Sequence, residues 1–215
     1  MDAGWSDGSK GNKLATDFQI VMHGHIRVVR LVSNNETNRL TQACILSLYE
    51  AFHELARDKH PIILTGNKNF FSVGADLTEI AKLTAPAAYE FSKIGQVLMN
   101  FVSQFPAPVY AAIAGFCMGG GLDLALACHQ RIAAPNAVFG HRGVALGLMT
   151  GWGGTQRLPR LVGKGRALQI FAAAETIPSL EALRIGLVDY ISDDPVADAI
   201  RRSQELCLHA SPPLL

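Results

Sequence analysis

The sequence has almost no charge imbalance. Nineteen Lys and Arg stand against 18 Asp and Glu, a formal net charge of +1 over 215 residues. That balance excludes a protein that coats nucleic acid, and the 49% hydrophobic content excludes a disordered chain. Cysteine is sparse: Cys44, Cys117, Cys128 and Cys207 lie far apart with no C-x-x-C pair. Neither a clustered zinc site nor a disulfide scaffold is expected, and a reducing, cytoplasmic compartment fits. The N-terminal MDAGWSDGSKGNK lacks the apolar core of a signal peptide and reads as a loose tail over residues 1–16. The one long apolar stretch, residues 108–128, contains Asp123 and three consecutive glycines. It reads as a buried strand–turn–helix, so no membrane partner is expected.

Several common site motifs are also missing. There is no G-x-x-x-x-G-K-[ST]: Gly163-Lys164 runs into Gly165, and Leu158 stands where the first glycine belongs. There is no G-x-G-x-x-G and no G-x-S-x-G, and the seven histidines make no H-E-x-x-H or similar metal spacing. Tyr89 and Lys93 have the spacing of a reductase pair, but no dinucleotide loop precedes them.

What is present alternates strand and helix. Residues 18–22 and 26–31 are β-rich and flank a His23-Gly24 turn. Leu40, Cys44, Leu48, Phe52 and Leu55 have helical spacing, so a helix is expected over 40–57. Buried strands are expected at 62–64 and 109–114, and shorter ones at 131–134, 138–139 and 187–191. Helices are expected at 85–104, 119–128, 153–162, 164–174, 179–185 and 195–209. Residues 67–75 read as a loop, with Asp76 and Glu79 forming a capping box for a short helix. The pattern makes an α/β fold, one domain over residues 17–215, long enough to bury a sizeable core. Twelve of the 20 glycines fall between Gly115 and Gly165, where backbone must approach something closely.

Two segments carry chemistry. In Phe70-Phe71-Ser72-Val73-Gly74-Ala75-Asp76-Leu77 a glycine turns the chain before a helix start, leaving the Ala75 N–H free. In residues 114–124 a strand runs into a helix through Gly119-Gly120-Gly121. Free N–H groups at a helix N-terminus attract negative charge, and two converging on one oxygen form an oxyanion hole. For the glycine run alone, close helix–sheet packing is an equal explanation.

These segments, with Gly151-Trp152-Gly153-Gly154-Thr155-Gln156-Arg157-Leu158-Pro159 and residues 182–189, resemble the crotonase, or enoyl-CoA hydratase/isomerase, superfamily over about residues 18–215. The resemblance implies a ClpP/crotonase-like spiral of strand–strand–helix units, here with a shortened C-terminal helical region. It implies an acyl-CoA substrate whose thioester oxygen is held by the Ala75 and Gly120 N–H groups. It places the CoA path past Phe70, Phe71, Val73, Gly74, Asp76, Leu77 and Gly119, and past the loop His141-Arg142-Gly143. It implies a homo-oligomer, a trimer or dimer of trimers, no metal, and no cofactor beyond the CoA of the substrate.

The sequence departs from the family at two positions. Its hydratases use two glutamates around a water; here the first is Asp123 and the second position is Gly143. Asp123 is the only charge between Val109 and Cys128, which points to proton transfer, although a carboxylate in a first helical turn also serves the macrodipole. A general acid or base is worth roughly 10²–10⁴-fold. Enoyl-CoA hydration or isomerisation is therefore the leading expectation. Decarboxylation, thioester hydrolysis, or acyl-CoA binding without catalysis are the alternatives. His141 or Arg142 could face the acyl group or the phosphates, or lie in a solvated or inter-subunit loop. Thr150 and Trp152 could shape the acyl pocket or only pack the turn.

Overall fold

In the computed structural model, residues 17–209 are described. Strands β1 (Phe18–His23) and β2 (Ile26–Leu31) form an antiparallel hairpin. His23 pairs with Ile26, so the turn is Gly24-His25, one residue later than expected, with Gly24 at φ +60°. Leu40 belongs to a two-residue strand, β3 (Arg39–Leu40), and not to the following helix. Helix α1 (Gln42–Leu55) starts later because the Thr41 hydroxyl caps it, accepting from the Cys44 N–H at 3.1 Å.

The next three strands each lead into a shorter strand and then a helix. β4 (Ile62–Thr65) is followed by β5 (Phe70–Ser72), β6 (Gly74–Ala75), α2 (Leu77–Ile80) and α3 (Ala85–Ser103). β7 (Val109–Ile113) is followed by β8 (Phe116–Met118) and α4 (Gly120–Ala127). β9 (Gln130–Ala133) is followed by β10 (Val138–Gly140), a 3₁₀ turn (Gly143–Leu146), α5 (Gly154–Val162) and α6 (Lys164–Ala173). The longer strands make a six-stranded sheet in the order β1-β2-β4-β7-β9-β12, parallel from β2 onward, with β12 at Tyr190–Ile191. The shorter ones make a second sheet, β11-β10-β8-β5, whose β11 is Ile177–Pro178. β3 and β6 pair separately. The chain thus winds as the strand–strand–helix spiral that the sequence led us to expect.

Of the second layer the sequence reading finds only β10, expected at 138–139. Residues 67–75, predicted as a loop, hold β5 and β6, and the stretch between Ala114 and Gly119 holds β8. These strands have two or three residues each, too few to show a periodicity. Distant backbone creates them: Phe116 N–H donates to Asn69 O at 2.9 Å, and Val138 N–H to Gly115 O at 2.9 Å. The expected strand 187–191 shortens at its start, because the Leu187 and Val188 N–H groups both turn back to Ala182 O at the end of α7 (Ser179–Arg184).

The core lies between the sheets and helices. α1 buries Cys44, Ile45, Leu48 and Phe52, and α3 buries Phe91, Leu98, Met99 and Val102. Buried Arg131 ties β9 to the last turn of the spiral. Its Nε donates to Leu187 O, one terminal nitrogen donates to Cys128 O, and the other pairs with the Asp189 carboxylate, each at 2.9 Å. The apolar stretch 108–128 becomes β7, β8 and α4. Among the described residues no helix is long and apolar enough to cross a membrane. The expected tail, residues 1–16, and Cys207's side chain lie outside what is described. The described residues end with helix α8 (Pro195–His209).

Candidate active site

The site forms where β6 meets the start of α4. Buried Ser72 holds the β5–β6 corner: its hydroxyl donates to Asn38 O at 2.6 Å and accepts from the Gly74 N–H at 3.0 Å. Buried Asn38 donates to the carbonyls of Phe70 and Phe71 at 2.9 and 3.1 Å. The sequence reading singled out neither residue, because a serine or an asparagine in a polar stretch carries no signal of its own.

The Asp76 N–H bonds to Leu40 O at 3.3 Å across the β3–β6 pair. Successive strand N–H groups point to opposite edges, so the Ala75 N–H faces away from β3 and toward α4. Gly74, at φ +91°, lets the two backbones meet: a Cβ on it would lie 2.7 Å from the Gly120 nitrogen. A Cβ on Gly120 would in turn lie 3.3 Å from the Ala75 nitrogen. Gly120 opens α4, so its N–H has no acceptor within the helix. The two expected oxyanion donors are therefore brought together.

Beside them is a cavity of about 440 Å3. Of the residues expected at the site, Val73, Ala75, Leu77, Gly119, Gly120, Asp123, His141, Arg142 and Gly143 line it. Phe70, Phe71, Gly74 and Asp76 stand behind this wall rather than on it. Phe71 is fully buried in the core, and the Phe70 ring packs on Phe116 at 5.7 Å. Asp76 caps α2, accepting from the N–H groups of Thr78 and Glu79, and pairs with Arg39 at 3.3 Å. These bonds, that from the Thr78 hydroxyl foremost, hold the Asp76 carboxyl at a pKa of about 2. The expected capping box does not close: the Glu79 carboxylate accepts instead from the Gln42 N–H at 2.9 Å, at the start of α1.

Asp123 is 1% exposed and projects from the first turn of α4. Its Oδ2 accepts from the Thr150 hydroxyl. Its Oδ1 lies 3.2 Å from His141 Nε2, an ion-pair distance, and both atoms are shut off from solvent. A Cβ on Gly154, at the N-terminus of α5, would collide with Oδ1. The positive end of that helix thus abuts the carboxylate. His141 is buried and its ring packs on Phe171 at 5.1 Å, while Arg142 is exposed at the cavity mouth. Gly143 leaves no room for a side chain, since a Cβ there would lie 2.8 Å from Leu148 O. The fully buried Cys117 thiol is pushed well above its ordinary pKa by burial, with Cys128 and Asp123 adding to the shift. It is no nucleophile.

Leu77, Ile80, Leu83, Phe91, Leu148 and Trp152 give the rest of the cavity an apolar lining. Trp152 is buried and seats its indole in the notch made by Gly95 and Gly120. Paired donors, one buried carboxylate and an apolar channel suit stabilisation of an anion formed next to a carbonyl, with a proton moved at the adjacent carbon.

Comparison with known proteins identifies the family. The profile of the enoyl-CoA hydratase/isomerase family matches residues 22–212. A crotonyl-CoA hydratase of Syntrophomonas wolfei is 42% identical over 157 residues, which are 72% of this chain and 60% of that protein's length. A probable enoyl-CoA hydratase of Bacillus subtilis is 38% identical over 181 residues, 83% of this chain and 70% of the relative. The crystal structure of an enoyl-CoA hydratase from Bacillus anthracis superposes with a TM-score of 0.84 at 32% identity. That match covers 89% of this chain and 76% of the other. With its spiral of strand–strand–helix units and its paired backbone donors, the chain belongs to the enoyl-CoA hydratase/isomerase family.

Proposed function

We propose that the protein acts on an acyl-CoA thioester and hydrates or isomerises an enoyl-CoA through an enolate. The N–H groups of Ala75 and Gly120 take the negative charge of the thioester oxygen, and Asp123 transfers the proton at the neighbouring carbon. The observation that carries this reading is the convergence of the two backbone donors beside a single buried carboxylate. A donor of this kind is worth about 3–4 kcal/mol in the transition state. The apolar lining suits an acyl chain, and exposed Arg142 at the mouth suits a CoA phosphate. Val73, Leu77 and Gly119 border the thioester, and residues 17–215 act as one catalytic unit. No metal or separate cofactor is assigned, since CoA enters as part of the substrate. The proposal extends to a homo-oligomer, a trimer or dimer of trimers, in the cytoplasm.

The test is turnover of 2-enoyl- and 3-enoyl-CoAs of short and medium chain length. Asp123→Asn is expected to lower kcat by about 10²–10⁴-fold, and turnover unaffected by that change would overturn the role of Asp123. A second reading follows from the closed Gly143 position. Decarboxylation of a malonyl-type CoA needs the hole but no base, and carbon dioxide release from such substrates would establish it.

A further inference from the structure

Resting on that reading, we infer that Asp123 moves its proton through the Thr150 hydroxyl: Thr150 touches C2 of the acyl chain and relays the C2 proton to the carboxylate behind it. The Asp123 side chain is 1% exposed. Its Oδ1 is closed off by His141 Nε2, 3.2 Å away, and by Gly154, where a Cβ would collide with it. Its Oδ2 accepts from the Thr150 hydroxyl. Both carboxylate oxygens are therefore occupied from within the protein. A base must lie within hydrogen-bond reach of the proton it takes, and a substrate carbon has no open approach to this one.

Thr150 has that approach. Of the three residues packed at the carboxylate, His141 and Gly154 are buried, and only Thr150 is partly exposed on the cavity. Its place is fixed from two sides. The Gln96 side-chain amide donates to Gly151 O at 2.7 Å, which ties the Thr150 loop to α3. A Cβ on Gly154 would lie 3.0 Å from Thr150 Cγ2, so the methyl group packs toward Gly154. A β-branched side chain is stiff at χ1, and seating the methyl there keeps the hydroxyl on Asp123. Asp123 in turn lies three residues after Gly120, on the same side of α4 as that donor. The relay thus opens on the cavity that holds both oxyanion donors.

The step moves two protons together. The C2–H bond breaks and its proton goes to Thr150 Oγ1, while the Thr150 hydroxyl proton goes to Asp123 Oδ2. The C2 electron pair forms the C1=C2 bond of the enolate, and the thioester carbonyl pair moves onto oxygen, where the Ala75 and Gly120 N–H groups hold it. Thr150 ends as the neutral hydroxyl it was, and Asp123 as a carboxylic acid. The reverse transfer restores both, and no co-reactant is consumed.

Exchange of the C2 hydrogen of the saturated four-carbon acyl-CoA in D₂O, followed by NMR, reads this step alone. Thr150→Val keeps the size and removes the hydroxyl. It is expected to lower the exchange kcat about 100-fold, close to the loss in Asp123→Asn, with KM held within about threefold. Thr150→Ser keeps the hydroxyl and is expected to stay within about tenfold of wild type. Asp123→Glu combined with Thr150→Ala lengthens the carboxylate by one methylene and empties the space before it. That pair is expected to exchange at least about tenfold faster than Thr150→Ala alone, because the longer acid reaches C2 without the relay. Should the valine variant fail to fold, Thr150→Ala gives the same contrast.

Exchange kept within about threefold in Thr150→Val but lost in Asp123→Asn would overturn the relay and leave the enolate reading standing. A serine variant no faster than the valine variant, or no recovery in the glutamate–alanine pair, would also overturn it, since the hydroxyl would then only hold the carboxylate in place. A wild-type protein that exchanges no C2 hydrogen overturns both readings.

Discussion

The Trp152 indole fills the space that a side chain on Gly120 would need. One aromatic ring thus supports the oxyanion hole and floors the acyl channel. A methyl group at position 120 must push either the ring or the start of α4. Gly120→Ala is expected to lower kcat by about 10²–10³-fold, read by steady-state kinetics. Adding Trp152→Leu to that variant should recover part of the loss, and no recovery would mean that the clash is not the cause.

Gly154 is a second position where only glycine fits. A Cβ there collides with Asp123 Oδ1 and lies 3.0 Å from His141 Nε2. Gly154→Ala should displace both groups, cost about 1–3 kcal/mol in a denaturant melt, and lower turnover as far as Asp123→Asn does. Turnover within a few-fold of wild type would show that neither group needs its present position.

Placing a glutamate where family hydratases carry one should not improve this chain. The Gly143 Cα faces the Leu148 carbonyl, whose own N–H donates back to Gly143 O at 2.9 Å. Gly143→Glu is expected to destabilise by about 1–3 kcal/mol with no gain in hydration. A gain of tenfold or more would show that the 3₁₀ turn rearranges freely.

Asp76 gives a prediction in pH. Hydrogen bonds from Thr78 lead the causes that lower its carboxyl from 3.8 to about 2 in the folded chain. A lowered folded pKa means that the contribution is present above the unfolded value and lost as pH falls through the folded one. Asp76→Ala should therefore cost about 0.5–2 kcal/mol at pH 7, the usual worth of an N-cap. The gap between the two proteins should shrink between about pH 4 and pH 2, as followed by thermal melts across that range. A gap unchanged across that window would show that the charge adds nothing.

The long elements were legible because their side chains repeat: Leu48 and Phe52 on α1, Ile62 and Ile63 in β4, and the glycine run that opens α4. The two backbone donors, Ala75 and Gly120, were legible for a similar reason, since a free N–H at a helix start follows from local chain geometry. Placement on the cavity was legible only in part. Phe71 and Asp76 sit in the same short segment as Ala75 but face the core and the α2 cap, because an alternating backbone sends neighbours to opposite sides. Ser72 and Asn38, which hold that segment, act across 34 positions of sequence and left no local mark.

By itself, then, the sequence determined the order of the longer strands and helices, the two backbone donors and the single carboxylate on the cavity, all properties of neighbouring residues. Only the tertiary structure decided that His141 faces Asp123 while Arg142 faces outward, that position 143 is closed, and that Trp152 lies beneath Gly120. Those relations join residues 18 to 32 positions apart, or rest on a backbone carbonyl. Local propensity carries no information about them; the packing of β10, α4 and α5 around one cavity does.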